Sequence, residues 1–96
     1  LRQLDDLFFD IAFLGVNGIH EKVGFTTTNE QEADVKAKVI AHSSSTFVLA
    51  DGSKFNKLYP VKFSRLDQAV ILSDEIPDFD RSQIRYQLTN GESKLD

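Results

Sequence analysis

The sequence predicts an α/β domain built on a mostly parallel sheet flanked by helices, and three observations carry that expectation. Residues 11–14, 46–50 and 69–72 are short apolar runs without alternation. Runs of this kind suit strands buried on both faces, as in parallel sheets covered by helices. A segment of helical periodicity lies between the first two runs. Each run also ends abruptly in polar or glycine residues: Gly15-Val16-Asn17-Gly18, Asp51-Gly52-Ser53-Lys54 and Ser73-Asp74-Glu75. In open α/β sheets ligands bind beyond the carboxyl ends of strands, so these are the places to look for a site.

The elements follow in order. In the opening ten residues Leu1, Leu4, Leu7 and Phe8 stand at helical spacing, which predicts the end of a helix. Residues 11–14 form the first strand and close in a glycine turn, which the two glycines suit by permitting unusual backbone angles or close approach. Residues 20–25 read as loop, with Gly24 as a flexible point. Asn29 is a good N-cap, and Glu32 three residues on completes a capping box. Glu30 and Glu32 also suit the positive end of the helix dipole. Ala33, Val35, Ala37, Val39 and Ile40 continue the helix to about His42 or Ser43, and Ser43-Ser44-Ser45 ends it. Residues 46–50 are the central strand. Pro60 argues against a continuous helix after Lys54 and leaves an extended segment at 61–63. Residues 69–72 form the third strand. Asp80 or Ser82 then caps a final helix carrying Ile84 and Leu88, which stops at Asn90-Gly91. The last six residues are expected to fray. Three strands make a thin sheet, another sign that part of a domain is missing, as is a chain that begins with Leu. There is no internal repeat and no low-complexity stretch.

Composition narrows the function classes. A chain of 96 residues makes one small domain. No apolar run approaches the ~20 residues that span a bilayer, and there is no charged-then-apolar leader pattern. Cysteine is absent, which removes disulfides, thiolate metal sites and a cysteine nucleophile, and leans the expectation towards the cytoplasm. The formal net charge is -4 without a dense basic run, so this stretch is not expected to grip nucleic acid by itself.

The candidate chemistry sits at the strand ends. His20 and His42 are isolated in sequence, so a metal site has no support. No serine has a nucleophile-elbow context. By contrast Asp51 and Lys54 follow the central strand, Asn17 follows its neighbour, and Glu30 and Glu32 open the intervening helix. If the strands are adjacent and parallel, these groups converge on one edge. An amide, a carboxylate and an ammonium there can hold the hydroxyls and phosphate of a small polar molecule, each charge-assisted bond contributing roughly 1.5–3 kcal/mol. Taken singly, each also has an ordinary explanation as a turn residue, a helix cap or a surface lysine.

The segments FLGVNGIHEKVGFTTTNEQEADVKAKVI and FVLADGSKF add a resemblance. Over about residues 10–75 the chain resembles the effector-sensing domain of DeoR-type transcriptional repressors. That family shows an apolar strand ending in Gly-Ala-Asp-Gly-Ile, a Gly-Leu/Phe-Thr-Thr stretch, a Glu-Glu-Ala helix start and an Ala-Asp-Ser-Ser-Lys-Phe segment. The resemblance implies an incomplete Rossmann-like fold of the sugar-phosphate-isomerase type, related to ribose-5-phosphate isomerase and glucosamine-6-phosphate deaminase. It implies a non-catalytic sensor that binds a phosphorylated sugar without a cofactor, changing DNA affinity elsewhere in a longer, homo-oligomeric protein. The winged helix-turn-helix and the first half of the sensor domain are then absent from residues 1–96. Carried over by position, the ligand-binding candidates are Gly15, Asn17, Gly18, Thr26, Thr27, Glu30, Glu32, Asp51, Ser53 and Lys54. Asn17 stands where the family has Asp, and Gly52 where it has Ser. Two other readings stay open: an isomerase-like enzyme fragment using Glu30, Glu32 or Asp51 as its base, and a structural piece packing through an exposed sheet edge.

Overall fold

The computed structural model describes residues 7–96. Two sheets and one helix build it. Strands β1 (Phe9–Gly15), β4 (Ser43–Leu49), β6 (Val70–Ser73) and β7 (Arg85–Leu88) lie side by side in parallel. An antiparallel β8 (Ser93–Lys94) completes that five-stranded sheet, in the order β1-β4-β6-β7-β8. Strands β2 (Gly18–His20), β3 (Gly24–Thr27) and β5 (Val61–Ser64) form a separate antiparallel sheet of three. The helix α1 (Glu30–Ala41) follows β3 and packs against β5 and the inner face of the large sheet.

The α/β class and the mostly parallel sheet are as expected, with one helix among the described residues where several were anticipated. Alternation decides how the large sheet is buried. Ala12, Thr46, Val48, Ile71, Tyr86 and Leu88 share the inner face, and the last four join Ile19, Phe25, Phe63, Ala33, Phe55 and Phe79 in one core. On the outer face Ile11 is 56% exposed, Phe13 60% and Leu49 50%. The expectation of strands buried on both faces is therefore corrected: unbroken apolar sequence records what both faces want, and the described residues cover only one.

α1 begins as predicted. Asn29 adopts extended backbone angles, and its side chain accepts the Glu32 N–H at 2.8 Å. The return contact comes from the Asn29 side-chain amide to Glu32 Oε2 at 3.4 Å. The helix ends at Ala41, with His42 as C-cap.

Several other expectations are corrected. Residues 20–25 form a β-hairpin instead of a loop: the Lys22 and Val23 N–H groups both donate to His20 Nδ1 at 3.2 Å, closing the turn. Gly24 starts the return strand with φ +117°, and an added Cβ would lie 2.4 Å from the Ser64 carbonyl oxygen, so only glycine fits. Thr26 and Thr27 belong to that strand. Ser43-Ser44-Ser45 is not a terminating loop but the start of β4. The extended segment at 61–63 is borne out as β5, though it joins the small sheet.

The expected final helix does not form. Asp80 caps only a 3-10 turn at Arg81–Gln83, accepting the Ser82 N–H at 3.0 Å, and β7 follows. Ile84 and Leu88 are four apart, which suits one helix face, but buried Tyr86 midway between them makes the true period two. The tail is likewise paired as β8, through Tyr86–Lys94 and Gln87–Ser93. The expected opening helix lies partly outside the described residues, which exclude Leu1 and Leu4; Phe9 and Asp10 already belong to β1. Among the described residues no helix is long and apolar enough to cross a membrane.

Candidate functional site

Parallel pairing aligns the strand ends. Gly15 lies beside Leu49, Leu49 beside Leu72, and Leu72 beside Gln87. Two residues further along each strand come Asn17, Asp51, Asp74 and Thr89, so one carboxyl edge carries an amide, two carboxylates and a hydroxyl. Ladder bonds continue past the strands and hold this edge: Ala50 N–H donates to the Leu72 carbonyl, and Thr89 N–H to the Ser73 carbonyl, both at 3.0 Å.

The edge divides into two parts. The first is a pocket of about 600 Å³ beyond β4, β6 and β7, lined by Asp51, Lys54, Asp74, Gln87 and Thr89 over a floor that includes Leu49 and Leu72. Asp51 caps a 3-10 turn at Gly52–Lys54, its Oδ1 accepting the Ser53 N–H at 2.8 Å and the Ser53 hydroxyl. Those hydrogen bonds, the hydroxyl's first, hold the Asp51 carboxyl below the usual carboxylate range, and the Lys54 charge adds a smaller pull. Asp74 Oδ1 accepts the Gly52 N–H at 3.1 Å and so ties the β4 loop to β6. A Cβ at position 52 would stand 2.8 Å from Glu75 Cγ, so glycine there leaves room for the Glu75 side chain.

The second part lies beyond β1, at the start of α1. The Thr27 hydroxyl is 2.7 Å from Asn17 Oδ1 and 3.0 Å from Glu32 Oε2. Lys36, one helical turn after Glu32, donates from Nζ to the Gly15 carbonyl at 2.6 Å and lies 5.4 Å from the centre of the Phe63 ring. Burial lowers the Lys36 ammonium from its ordinary value, while the Glu32 charge opposes that shift.

Of the ten candidates, Asp51 and Lys54 line the pocket, and Ser53 is bonded to Asp51 without lining it. Gly15, Asn17, Thr27 and Glu32 make up the β1 part. Glu30 sits exposed in the first turn of α1. Gly18 and Thr26 lie inside the small sheet: the Thr26 hydroxyl donates to the Gly18 carbonyl at 3.3 Å and accepts the Tyr59 N–H at 3.1 Å. A Cβ on Gly18 would stand 2.4 Å from the Lys57 carbonyl oxygen, so close backbone approach accounts for that glycine. Lys36, Gln87 and Thr89 escaped sequence reasoning, and Asp74 was visible only as part of a strand end. Lys36 had a signal in its i+4 spacing from Glu32, and Asp74 in its matching place after a strand. Among the described residues no three metal-binding side chains converge.

A parallel sheet whose loops gather polar groups at one carboxyl edge defines the class of α/β domains that hold ligands beyond their strand ends. The profile of the DeoR C terminal sensor domain matches residues 1–75, and the chain belongs to that family. It is 38% identical over 85 residues to the uncharacterized HTH-type transcriptional regulator FruR of Bacillus subtilis (strain 168), covering 86% of this chain and 34% of that protein. To the HTH-type transcriptional regulator GlpR of Haloferax volcanii it is 35% identical over 60 residues, covering 62% of this chain and 24% of that protein. To the deoxyribose operon repressor of Escherichia coli (strain K12) it is 30% identical over 78 residues, 80% of this chain and 31% of the repressor. The chain thus spans about a third or less of these relatives. By name these relatives are transcriptional regulators and repressors, not enzymes.

Proposed function

We propose that this chain is the effector-sensing region of a DeoR-type repressor of sugar metabolism. It binds a phosphorylated sugar, and binding modulates the DNA affinity of a longer cytoplasmic, homo-oligomeric protein. In that protein a winged helix-turn-helix and the first half of the sensor domain precede these residues, completing a Rossmann-like sheet of the sugar-phosphate-isomerase type. The observation that carries this reading is the pocket of about 600 Å³ at the carboxyl edge, whose lining includes Lys54 together with Asp51 and Asp74. Lys54 takes the anionic group, and the carboxylates accept sugar hydroxyls, a division that follows from donor and acceptor inventories. The uncovered outer face of β1 and β4 supports a missing half, since apolar side chains at 50–60% exposure are the kind of surface another layer covers. The names of the relatives, among them a deoxyribose operon repressor and an L-fucose operon activator, favour a sugar-derived ligand.

The test is thermal stabilisation of the full-length protein by a panel of sugar phosphates. One or a few should raise Tm, and Lys54→Ala should raise the ligand concentration needed for the same shift about tenfold or more, as for loss of a charge-assisted bond. An unresponsive wild type, or an equal response from Lys54→Ala, would sink the proposal.

A further inference from the structure

Thr27 is wholly buried, and its hydroxyl stands between Asn17 Oδ1 at 2.7 Å and Glu32 Oε2 at 3.0 Å. A hydroxyl carries one proton and cannot donate to both. Glu32 Oε2 already accepts from the Asn29 amide at 3.4 Å, so it acts as an acceptor in this cluster. If Thr27 gave its proton to Asn17, two oxygen lone pairs would face each other across 3.0 Å towards Glu32 with nothing between them. Donation to the carboxylate removes that repulsion and makes the stronger, charge-assisted bond. The Thr27 oxygen then needs a donor, which Asn17 supplies once its amide turns over. Oxygen and nitrogen of an amide are told apart by such networks and not by shape.

We propose that Asn17 is a specificity-determining residue of this edge. Its nitrogen is committed to Thr27, and its carbonyl oxygen faces outward as a hydrogen-bond acceptor. The outward head has no protein partner among the described residues, and none of their side-chain polar atoms is both buried and unpartnered, so that head is open to solvent. An acceptor at this point takes a ligand hydroxyl and repels a phosphate oxygen. The anionic group therefore lies further along the edge, towards Lys54. The hydroxyl contact rests on the effector reading above; the amide orientation does not.

Two measurements on the intact protein separate them. In nitrogen-resolved NMR, one side-chain amide proton of Asn17 should exchange slowly with water. That protection should vanish in Thr27→Val and survive in Thr27→Ser, which keeps the hydroxyl. Fast exchange in the wild type, or protection unchanged in Thr27→Val, overturns the orientation. The second compares ribose 5-phosphate and glucose 6-phosphate with their 2-deoxy forms, and fructose 1-phosphate with its single-deoxy analogues. For a sugar that binds, one deoxy form should bind about three- to tenfold more weakly, a difference abolished by Asn17→Ala. Equal discrimination by wild type and variant overturns the hydroxyl contact. Failure of every sugar phosphate to bind defeats the effector reading and that contact together, while the NMR result still decides the orientation.

Discussion

At the scale of single residues, hydrogen bonds at the carboxyl edge serve the fold and the site together. Asp51 shows it best: one oxygen caps the turn that carries Lys54, and the carboxyl's pKa is lowered chiefly by the Ser53 hydroxyl. A carboxyl lowered in the folded state contributes stability that is fully present above its unfolded pKa and lost as pH falls through the folded value. Titration of the Asp51 side-chain carbon by NMR should therefore give a midpoint below the ordinary 3.8. Ser53→Ala should move it back up by removing the largest cause; an unmoved midpoint would remove Ser53 from the account. Asp80 is built alike, with Ser82 in the corresponding place, but it caps a turn away from the pocket. The capping motif alone therefore does not mark a ligand residue.

At the scale of elements, α1 and β7 show how far periodicity carries. The helix is fixed locally: Asn29 caps it, acids fill its first turn, and the cap does not depend on what packs above. Asn29→Ala should cost about 1 kcal/mol in chemical denaturation, the usual loss for an N-cap. β7 is different, because Ile84 and Leu88 fit either period and only the partner strand β6 chooses between them. If β7 is a strand, Leu88→Ala should cost about 2–5 kcal/mol and Gln87→Ala much less, since position 87 faces the other side. Comparable losses at both positions would contradict the two-residue period. The hairpin of β2 and β3 was illegible for a related reason: a histidine ring closing a turn and a glycine pressed against Ser64 are contacts with no local sequence signature.

At the scale of the whole molecule, one face of the large sheet is core and the other is open. Phe13 and Phe47 stack there with ring centres 5.4 Å apart, beside Ile11 and Leu49. β1 also ends the sheet, leaving one side of its backbone without a strand neighbour among the described residues. Phe13→Ser with Leu49→Ser should reduce self-association of the 96-residue chain, read by light scattering, with little loss of its own Tm. The same pair should destabilise the longer protein by several kcal/mol if the preceding half covers that face. Equal Tm values for variant and wild type in the longer protein would show the face uncovered there too.

Local patterns in the chain suffice for the α/β class, the three apolar strands, the start of α1 and the residues that end each strand. Those are short-range properties, written in runs, caps and turns a few residues long. Long-range pairing aligns Gly15, Leu49, Leu72 and Gln87, so that Asp74 and Thr89 join Asp51 at the edge, and brings Lys36 back to Gly15. It also decided that residues 84–88 extend and that one sheet face stays open. The physical reason is that register and burial belong to pairs of segments distant in the chain, and no window of sequence contains both partners.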